Sequence, residues 1–240
     1  VKDFFFRYYA PNNCILSITG NISFKESVRL TEKWFGPIPH REVPQRNLPA
    51  EPKQTEVRRK TVERNVPLDA LYMAFHMCSR RDKDYYAYDM LTDILSSGRS
   101  SRLIQNLVVK NKIFNSVDAY ISGSIDEGLL HITGKPAEGI SLEQAEQAVW
   151  DEIEKLRTTP VESSELEKVK NRYESEQIFG NINYLNVATN MAYLELIGKA
   201  EDINTEAVRY RSVTAEQLQE VAQRSLIADN CCILYYKAIK

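Results

Sequence analysis

The chain has 240 residues, a formal net charge of −2 and a sequence pI of about 6.0. This balance argues against a nucleic-acid-binding domain, and no apolar run approaches the ~20 residues that a membrane-spanning helix needs. With 43% hydrophobic and 27% charged residues, the chain can bury a core that needs no disulfide or metal.

The four cysteines are Cys14, Cys78, Cys231 and Cys232. Because none are spaced as Cys-x-x-Cys, the sequence predicts neither a zinc knuckle nor a redox motif. The last two lie in an apolar segment typical of a strand, where buried free thiols are expected. The chain begins at Val1 without a Met or a signal peptide, so we expect it to be part of a longer polypeptide.

The beginning of the chain predicts two helices, a strand and a linker. Residues 1–9 are typical of a helix end, and a Pro-Asn-Asn turn leads into an apolar strand at 14–19. Ser23 and Glu26 have the spacing of a capping box, which opens a helix that a Gly-Pro pair ends. Residues 37–52 are Pro-rich, charged and aperiodic, which indicates an extended linker.

The middle of the chain predicts strands on either side of two helices. Apolar side chains recur at every second position in the longest strand, which predicts one buried face. The predicted strands are 55–64, 68–78, 116–122 and 128–133, and the predicted helices are 85–95 and 101–109.

Helices dominate the rest of the chain, which ends in one strand. Capping boxes at Ser141/Gln144 and Thr214/Gln217 open two of the helices. The predicted helices are 141–156, 162–178, 183–197 and 214–226, and the closing strand is 230–236. This order predicts an α+β fold, with an antiparallel-rich mixed sheet packed against a layer of helices in an α/β sandwich.

An internal similarity suggests a domain boundary. Residues 13–16 resemble residues 230–234, and both segments follow a helix and a turn. We therefore predict that both close equivalent domains of a duplicated polypeptide. Residues 1–45 would be the closing strand and helix of a preceding homologous domain, 46–54 a linker, and 55–240 a C-terminal domain.

Five short motifs follow one another along nearly the whole chain. They are FRYYAPNN at 6–13, KWFGPIP at 33–39, LSSGRSSRL at 95–103, ELEKVK at 165–170 and VTAE at 213–216. In this order and at these spacings they resemble the pitrilysin/insulinase family of zinc metallopeptidases, in its mitochondrial-processing-peptidase-like form. The resemblance implies the same α/β sandwich, in two-domain units that pair into a chamber around unstructured peptides.

The resemblance also implies where zinc is bound. In the family, a His-x-x-Glu-His helix in the first domain and a downstream Glu hold the metal. Here the histidines are His40, His76 and His131, and no two of them are four or five residues apart. His76 and Cys78 share a strand face, but two potential ligands do not make a site. We therefore expect no metal or cofactor in this segment and zinc in a catalytic partner domain.

The family's C-terminal domain contributes an Arg and a Tyr that stabilise the tetrahedral intermediate. In this sequence the matching positions hold Val108 and Asn115. Loss of one such donor typically costs about 10²- to 10³-fold in rate, and here both side chains are absent. We therefore assign no catalytic residue to this chain.

The segment 96–103 holds the remaining candidates. Arg99 and Arg102 are candidate substrate-binding residues, and the alternative is a solvated helix end. Basic residues at a helix N-terminus oppose the helix dipole, which favours another role for them. Ser100 and Ser101 are expected to cap the following helix.

These observations predict a non-catalytic C-terminal domain of a zinc metallopeptidase, which forms part of a peptide-enclosing chamber. Its expected partners are unstructured peptides and a domain or subunit that bears the zinc motif, so that the parent complex would be a metalloendopeptidase. The alternative is a structural assembly module with no proteolytic role, like the core subunits of the respiratory cytochrome complex. The sequence of this segment does not decide between them.

Overall fold

A computed structural model describes residues 1–45, 47–123 and 125–239. Its contacts divide the chain into two compact units. Unit 1 comprises Val1–Pro52 and Ser175–Glu206, and unit 2 comprises Lys53–Glu174 and Ala207–Lys240. The domain boundaries expected from the sequence, at 45 and 55, remain a prediction.

The described residues form eight α-helices, five strands and a π-helix at Ile104–Lys110. The α-helices are α1 Lys2–Tyr8, α2 Phe24–Phe35, α3 Tyr85–Ser96, α4 Leu142–Thr158, α5 Ser163–Gly180, α6 Tyr184–Ile197, α7 Glu206–Ser212 and α8 Ala215–Ser225. The strands are β1 Arg58–Arg64, β2 Ala70–Ser79, β3 Phe114–Ser122, β4 Glu127–Pro136 and β5 Cys231–Ala238. None of the described helices is both long and apolar enough to cross a membrane.

Side-chain caps fix the starts of four helices, α2, α4, α6 and α8. The capping boxes that open α4 at Ser141 and α8 at Thr214 are complete, so those predictions are confirmed. At α2 only half of the box forms: the Ser23 hydroxyl accepts the N–H of Glu26, at 3.2 Å. The Glu26 carboxylate instead accepts hydrogen bonds from Arg29 one turn further on, because an ion pair competes with the cap.

All five strands lie in one open sheet of unit 2, in the order β1-β5-β2-β4-β3. The β1–β5 pair is parallel and the other three pairs are antiparallel. The closing strand β5 therefore lies between β1 and β2, inside the sheet rather than at its edge. The predicted antiparallel-rich mixed sheet is confirmed.

One face of this sheet carries the hydrophobic core of unit 2. The inward side chains of β2 alternate with outward ones along the strand, as period two requires. Helices α3, α4 and α8 pack on that face. The buried residues include Leu71, Met73, Phe75 and Met77 from β2, Leu130 and Ile132 from β4, Ile233 from β5, Leu91 and Ile94 from α3, Val149 and Ile153 from α4, and Leu218 from α8.

Unit 1 is built differently. Among its described residues only Ala10, Leu194 and Ile197 are buried apolar residues, whereas many large ones are exposed. The exposed set includes Phe4, Phe5, Phe6, Tyr9, Ile15, Leu16, Ile18, Phe24, Trp34, Phe179, Ile182 and Leu185. The strand predicted at 14–19 is wrong for this chain: the segment joins no sheet among the described residues, since no strand of unit 1 is there to pair with it.

Candidate functional site

The turn that follows α3 carries the candidate arginines. Gly98 has a φ of 83°, in the left-handed region that favours glycine. The buried Ser101 hydroxyl donates to the Gly98 carbonyl at 2.7 Å and closes the turn. Ser101 directly precedes the helical residues 102–110, and its carbonyl oxygen accepts the N–H of Gln105 at 2.9 Å, as expected at an N-cap position. The predicted side-chain cap differs, because the Ser101 hydroxyl bonds to the turn and not to the helix N-terminus. Ser101 is used to close the turn, and Ser100 accepts a hydrogen bond from Lys168 of α5 at 3.1 Å.

Arg102 is held by α5 in a two-pronged ion pair. Its Nη2 donates to Glu165 Oε2 at 2.7 Å, and its Nε lies 3.2 Å from both carboxylate oxygens. Both side chains are only 18% exposed, so this pair is shielded from much of the solvent. Arg102 therefore positions α5 against the turn, and its charge is already balanced.

Arg99 is exposed and differs from Arg102 in its contacts. Its carbonyl oxygen accepts from Gln105 Nε2 at 2.5 Å, while its guanidinium forms no ion pair with any described residue. Lys168 lies next to the same turn, and a Cβ placed on Gly98 would be 3.6 Å from Arg172 Nη1. The turn is therefore a cationic donor surface, which suits a carboxylate or a carbonyl oxygen.

The positions that the resemblance predicts for the family's Arg and Tyr hold side chains of another kind. Val108 lies in the π-helix, half-buried against the core. Asn115 is exposed in β3, and its amide donates to the carbonyl of Pro136 in β4 at 3.2 Å. Val108 has no polar donor, and Asn115 has a neutral amide in place of the family's Tyr, with one of its N–H groups used within the sheet.

The π-helix is fixed by a buried carboxylate that the sequence did not single out. Glu152 of α4 is 2% exposed and accepts from Asn106 Nδ2 at 2.9 Å. Lys155 Nζ lies 2.5 Å from the other carboxylate oxygen. A buried carboxylate needs such partners, and a polar residue opposite it in the fold supplies one of them. These bonds are structural.

The two histidines of unit 2 lie in strands of the sheet, His76 in β2 and His131 in β4. The ring of His131 stacks on Tyr120 at 4.9 Å between centroids, and its Nε2 lies 3.1 Å from Ser122 Oγ. Burial lowers the pKa of His131 and raises that of the Cys78 thiol to about 12. Within the described parts of the chain, no three His, Cys, Asp or Glu residues cluster as metal ligands would.

A second buried carboxylate joins β1 and β5 to α4. Glu146 accepts two hydrogen bonds from Arg59, at 2.5 and 2.6 Å, one from Tyr235 at 2.6 Å and one from Trp150 Nε1 at 3.0 Å. Burial alone would raise the pKa of Glu146, but these donors outweigh it and the pKa is lowered. No sequence motif pointed to this network, because its members are far apart in the chain.

The chain is similar to known proteins over most of its length. A model of the peptidase M16 inactive domain matches residues 1–173. The zinc protease PqqE of Helicobacter pylori is 25% identical over 175 residues, which cover 71% of this chain and 39% of that protein. The uncharacterized zinc protease YmxG of Bacillus subtilis is 23% identical over 235 residues, or 95% of this chain and 55% of that protein.

A solved structure extends the similarity to the fold. The crystal structure of a protease from Helicobacter pylori matches with a TM-score of 0.90 at 21% identity, covering 98% of this chain and 58% of that one. The chain thus spans between about two fifths and three fifths of the length of these relatives. The family model covers well over half of the chain and agrees with the resemblance of its five motifs. The chain belongs to the peptidase M16 family, as an inactive domain of zinc-protease-like proteins.

Proposed function

We propose that this domain forms one non-catalytic wall of a chamber that encloses unstructured peptides. A partner domain or subunit supplies the zinc site, and the assembled protein hydrolyses peptide bonds. The family match supports the pairing with a zinc-bearing half. The side chains at Val108 and Asn115 support a role without chemistry, because neither is the Arg or the Tyr that the family resemblance implies at these positions.

The apolar surface of unit 1 is the observation that carries this proposal. Most of the large exposed apolar side chains of the described chain lie in unit 1, and the hydrophobic core lies in unit 2. Exposed apolar patches of this kind mark interaction sites, and covering them stabilises an assembly by roughly 25 cal/mol per Å². A preceding homologous domain, which residues 1–45 would complete, is the proposed cover.

Reconstitution tests the proposal. The chain is mixed with the half of its parent protein, or of a neighbouring subunit, that bears His-x-x-Glu-His, and cleavage of an unfolded peptide is followed. This chain alone should not cleave, the zinc-bearing half alone should cleave the unfolded peptide far more slowly than the mixture does, and a chelator should stop cleavage because zinc activates the attacking water. The matched control replaces the first His of the zinc motif by Ala. Cleavage by this chain alone after metal removal would contradict the proposal.

The alternative is an assembly module with no proteolytic role. Val108 and Asn115 are compatible with it too, because a domain without the family's Arg and Tyr can serve purely as a scaffold. The substrate length separates the two functions. A chamber wall should raise kcat/KM for long unfolded peptides and leave a short peptide almost unchanged, because only the long ones reach it. An assembly module should bind its partner and leave both rates unchanged.

A further inference from the structure

One face of α5 lies beside the turn that follows α3. Residues three and four positions apart share one side of a helix, and here that side meets successive residues of the turn. The neighbouring pairs are Glu165 with Arg102, Lys168 with Ser100, and Arg172 with Gly98. These three pairs bring one acid and two cations of α5 to a single turn.

The acid of this face is already neutralised. Glu165 accepts from Arg102 at 2.7 Å, in a pair that is largely shielded from solvent. Lys168 donates to the Ser100 hydroxyl at 3.1 Å, and that hydroxyl carries no charge. Arg99, the residue before Ser100, has an exposed side chain. Arg99 and Lys168 therefore carry positive charges that no acid among the described residues pairs with.

Two other acids of the same region are bonded elsewhere. Asp118 of β3 accepts from the hydroxyl of Ser96, at the end of α3, at 2.8 Å. Glu167 of α5 forms an ion pair with Arg211 at 2.8 Å. Neither acid forms an ion pair with the two exposed cations, so the positive charge at the turn is not balanced by these neighbours.

Helix dipoles explain only one of the two cations. Arg99 follows the C-terminal end of α3, where a positive charge is favourable. Lys168 lies beyond the first turn of α5, where the dipole of that helix has little effect, and its ammonium group is directed at the turn. Two like charges beside one turn repel each other unless an anion lies between them. The arrangement therefore suits a ligand with a negative charge.

We infer that Arg99 and Lys168 bind the carboxylate of an Asp or Glu side chain in an unstructured peptide. The inference rests on the proposed function and names a class of peptide that this wall retains, since a wall meets an enclosed peptide along its length. A guanidinium and an ammonium can each donate to one carboxylate oxygen. The Arg102–Glu165 pair and the Ser101 hydroxyl hold the turn and α5 together before any ligand arrives.

Binding to the 240-residue chain tests the site without a zinc-bearing partner. Two Gly/Ser peptides carry either one Glu or one Gln at the same position, and both are acetylated and amidated so that only the Glu side chain supplies a carboxylate. Two-dimensional ¹H–¹⁵N NMR at constant ionic strength follows the backbone amide signals of residues 98–102. The Glu peptide should shift these signals to saturation and the Gln peptide should not. No shift with the Glu peptide, or equal shifts with both, would overturn the inference.

Charge removal separates this site from a general attraction to positive surface. Arg99→Gln and Lys168→Gln should each weaken binding of the Glu peptide about threefold, and the double variant about tenfold, because each removes one exposed ion pair. Lys60→Gln is the matched control: Lys60 is exposed in β1, at the edge of the sheet opposite to β3. It should leave the affinity almost unchanged, and the same spectra show whether each variant is folded. An equal loss in Lys60→Gln would overturn the inference.

Reconstitution with the zinc-bearing half relates the site to cleavage. Of two long unfolded peptides that differ by one Glu or Gln, the Glu peptide should have the lower KM. Arg99→Gln should remove that difference and leave kcat unchanged, because the contact holds substrate and transition state equally. If the chain binds the Glu peptide but the mixture cleaves no faster than the zinc-bearing half alone, only the chamber role fails. If the mixture cleaves both peptides with the same KM, the chamber role stands and this inference is wrong.

Discussion

At the scale of single residues, the strongest polar contacts serve the fold. Glu146 receives four hydrogen bonds from three side chains and joins α4 to two strands. Tyr210 donates to Asp89 and stacks on Tyr173 at 3.5 Å, which joins α7 and α5. Arg102, a candidate for substrate binding, is paired with Glu165. The exposed Arg99 keeps its predicted role as a substrate contact.

Removal of the Glu146 carboxylate tests how much this network stabilises the chain. Glu146→Ala leaves the Arg59 guanidinium, the Tyr235 hydroxyl and the Trp150 N–H without their acceptor. We expect the free energy of unfolding to fall by about 2–4 kcal/mol, measured by urea denaturation. Gln147→Ala, at the next position on α4, should cost less than about 0.5 kcal/mol because the site is exposed. If Glu146→Ala also costs less than about 0.5 kcal/mol, the network does not stabilise the folded chain.

The lowered pKa of Glu146 predicts the direction of a pH effect. Since its pKa is lower in the folded state than in the unfolded chain, its stabilisation is present above the unfolded value of about 4.3 and is lost as pH falls through the folded value. The variant Glu146→Gln has no ionisable side chain at this position. The difference in unfolding free energy between the native chain and this variant should therefore shrink as pH falls below that value. A difference that is constant from pH 6 to pH 3 would contradict the assignment.

At the scale of elements, local sequence signals and burial agree in unit 2. Complete capping boxes start α4 and α8, and the alternation of β2 places every second side chain in the core. The π-helix at Ile104–Lys110 occupies the place of a predicted ordinary helix, with Val108 packed against the core. The seven-residue helix α7 lies outside the helices that the sequence predicts.

The alternation of β2 predicts effects of different size for two of its aromatic residues. Phe75 is fully buried and packs edge-on against Trp150, whereas Tyr72 is 42% exposed on the open face. Phe75→Ala should lower the free energy of unfolding by about 3–5 kcal/mol, because a cavity forms in the core. Tyr72→Ala should cost about 1 kcal/mol or less. Thermal and urea unfolding of both variants measure this, and equal losses would show that the face assignment is wrong.

At the scale of the whole molecule, the two units differ in kind. Unit 2 has a sheet, a helical layer and a core of its own. Unit 1 has helices whose large apolar side chains are exposed, and a segment at 14–19 that pairs with no strand among the residues that the structure describes. The two similar segments, residues 13–16 and 230–234, differ in the same way. The second one continues into β5, which lies inside a sheet.

Limited proteolysis tests the predicted boundary. Residues 37–52 form no helix or strand where they are described, and proteases cut such exposed segments first. We expect the earliest cuts there, identified by mass spectrometry, and a resistant fragment that contains unit 2. Early cuts inside residues 84–109 would contradict the boundary, because α3 and the π-helix pack on the core of unit 2.

The sequence by itself determined those features that depend on neighbours in the chain. Capping pairs, the period-two pattern of β2 and the motifs of the family lie within a few residues, so they predicted the helices, the sheet class and an inactive peptidase domain. Pairing over long separations was decided only by tertiary structure. The place of β5 between β1 and β2, the acceptor of Arg102 and the donors to Glu146 join residues far apart in the chain. Local sequence patterns do not predict such pairs, because the packing of helices against the sheet decides which distant residues come into contact.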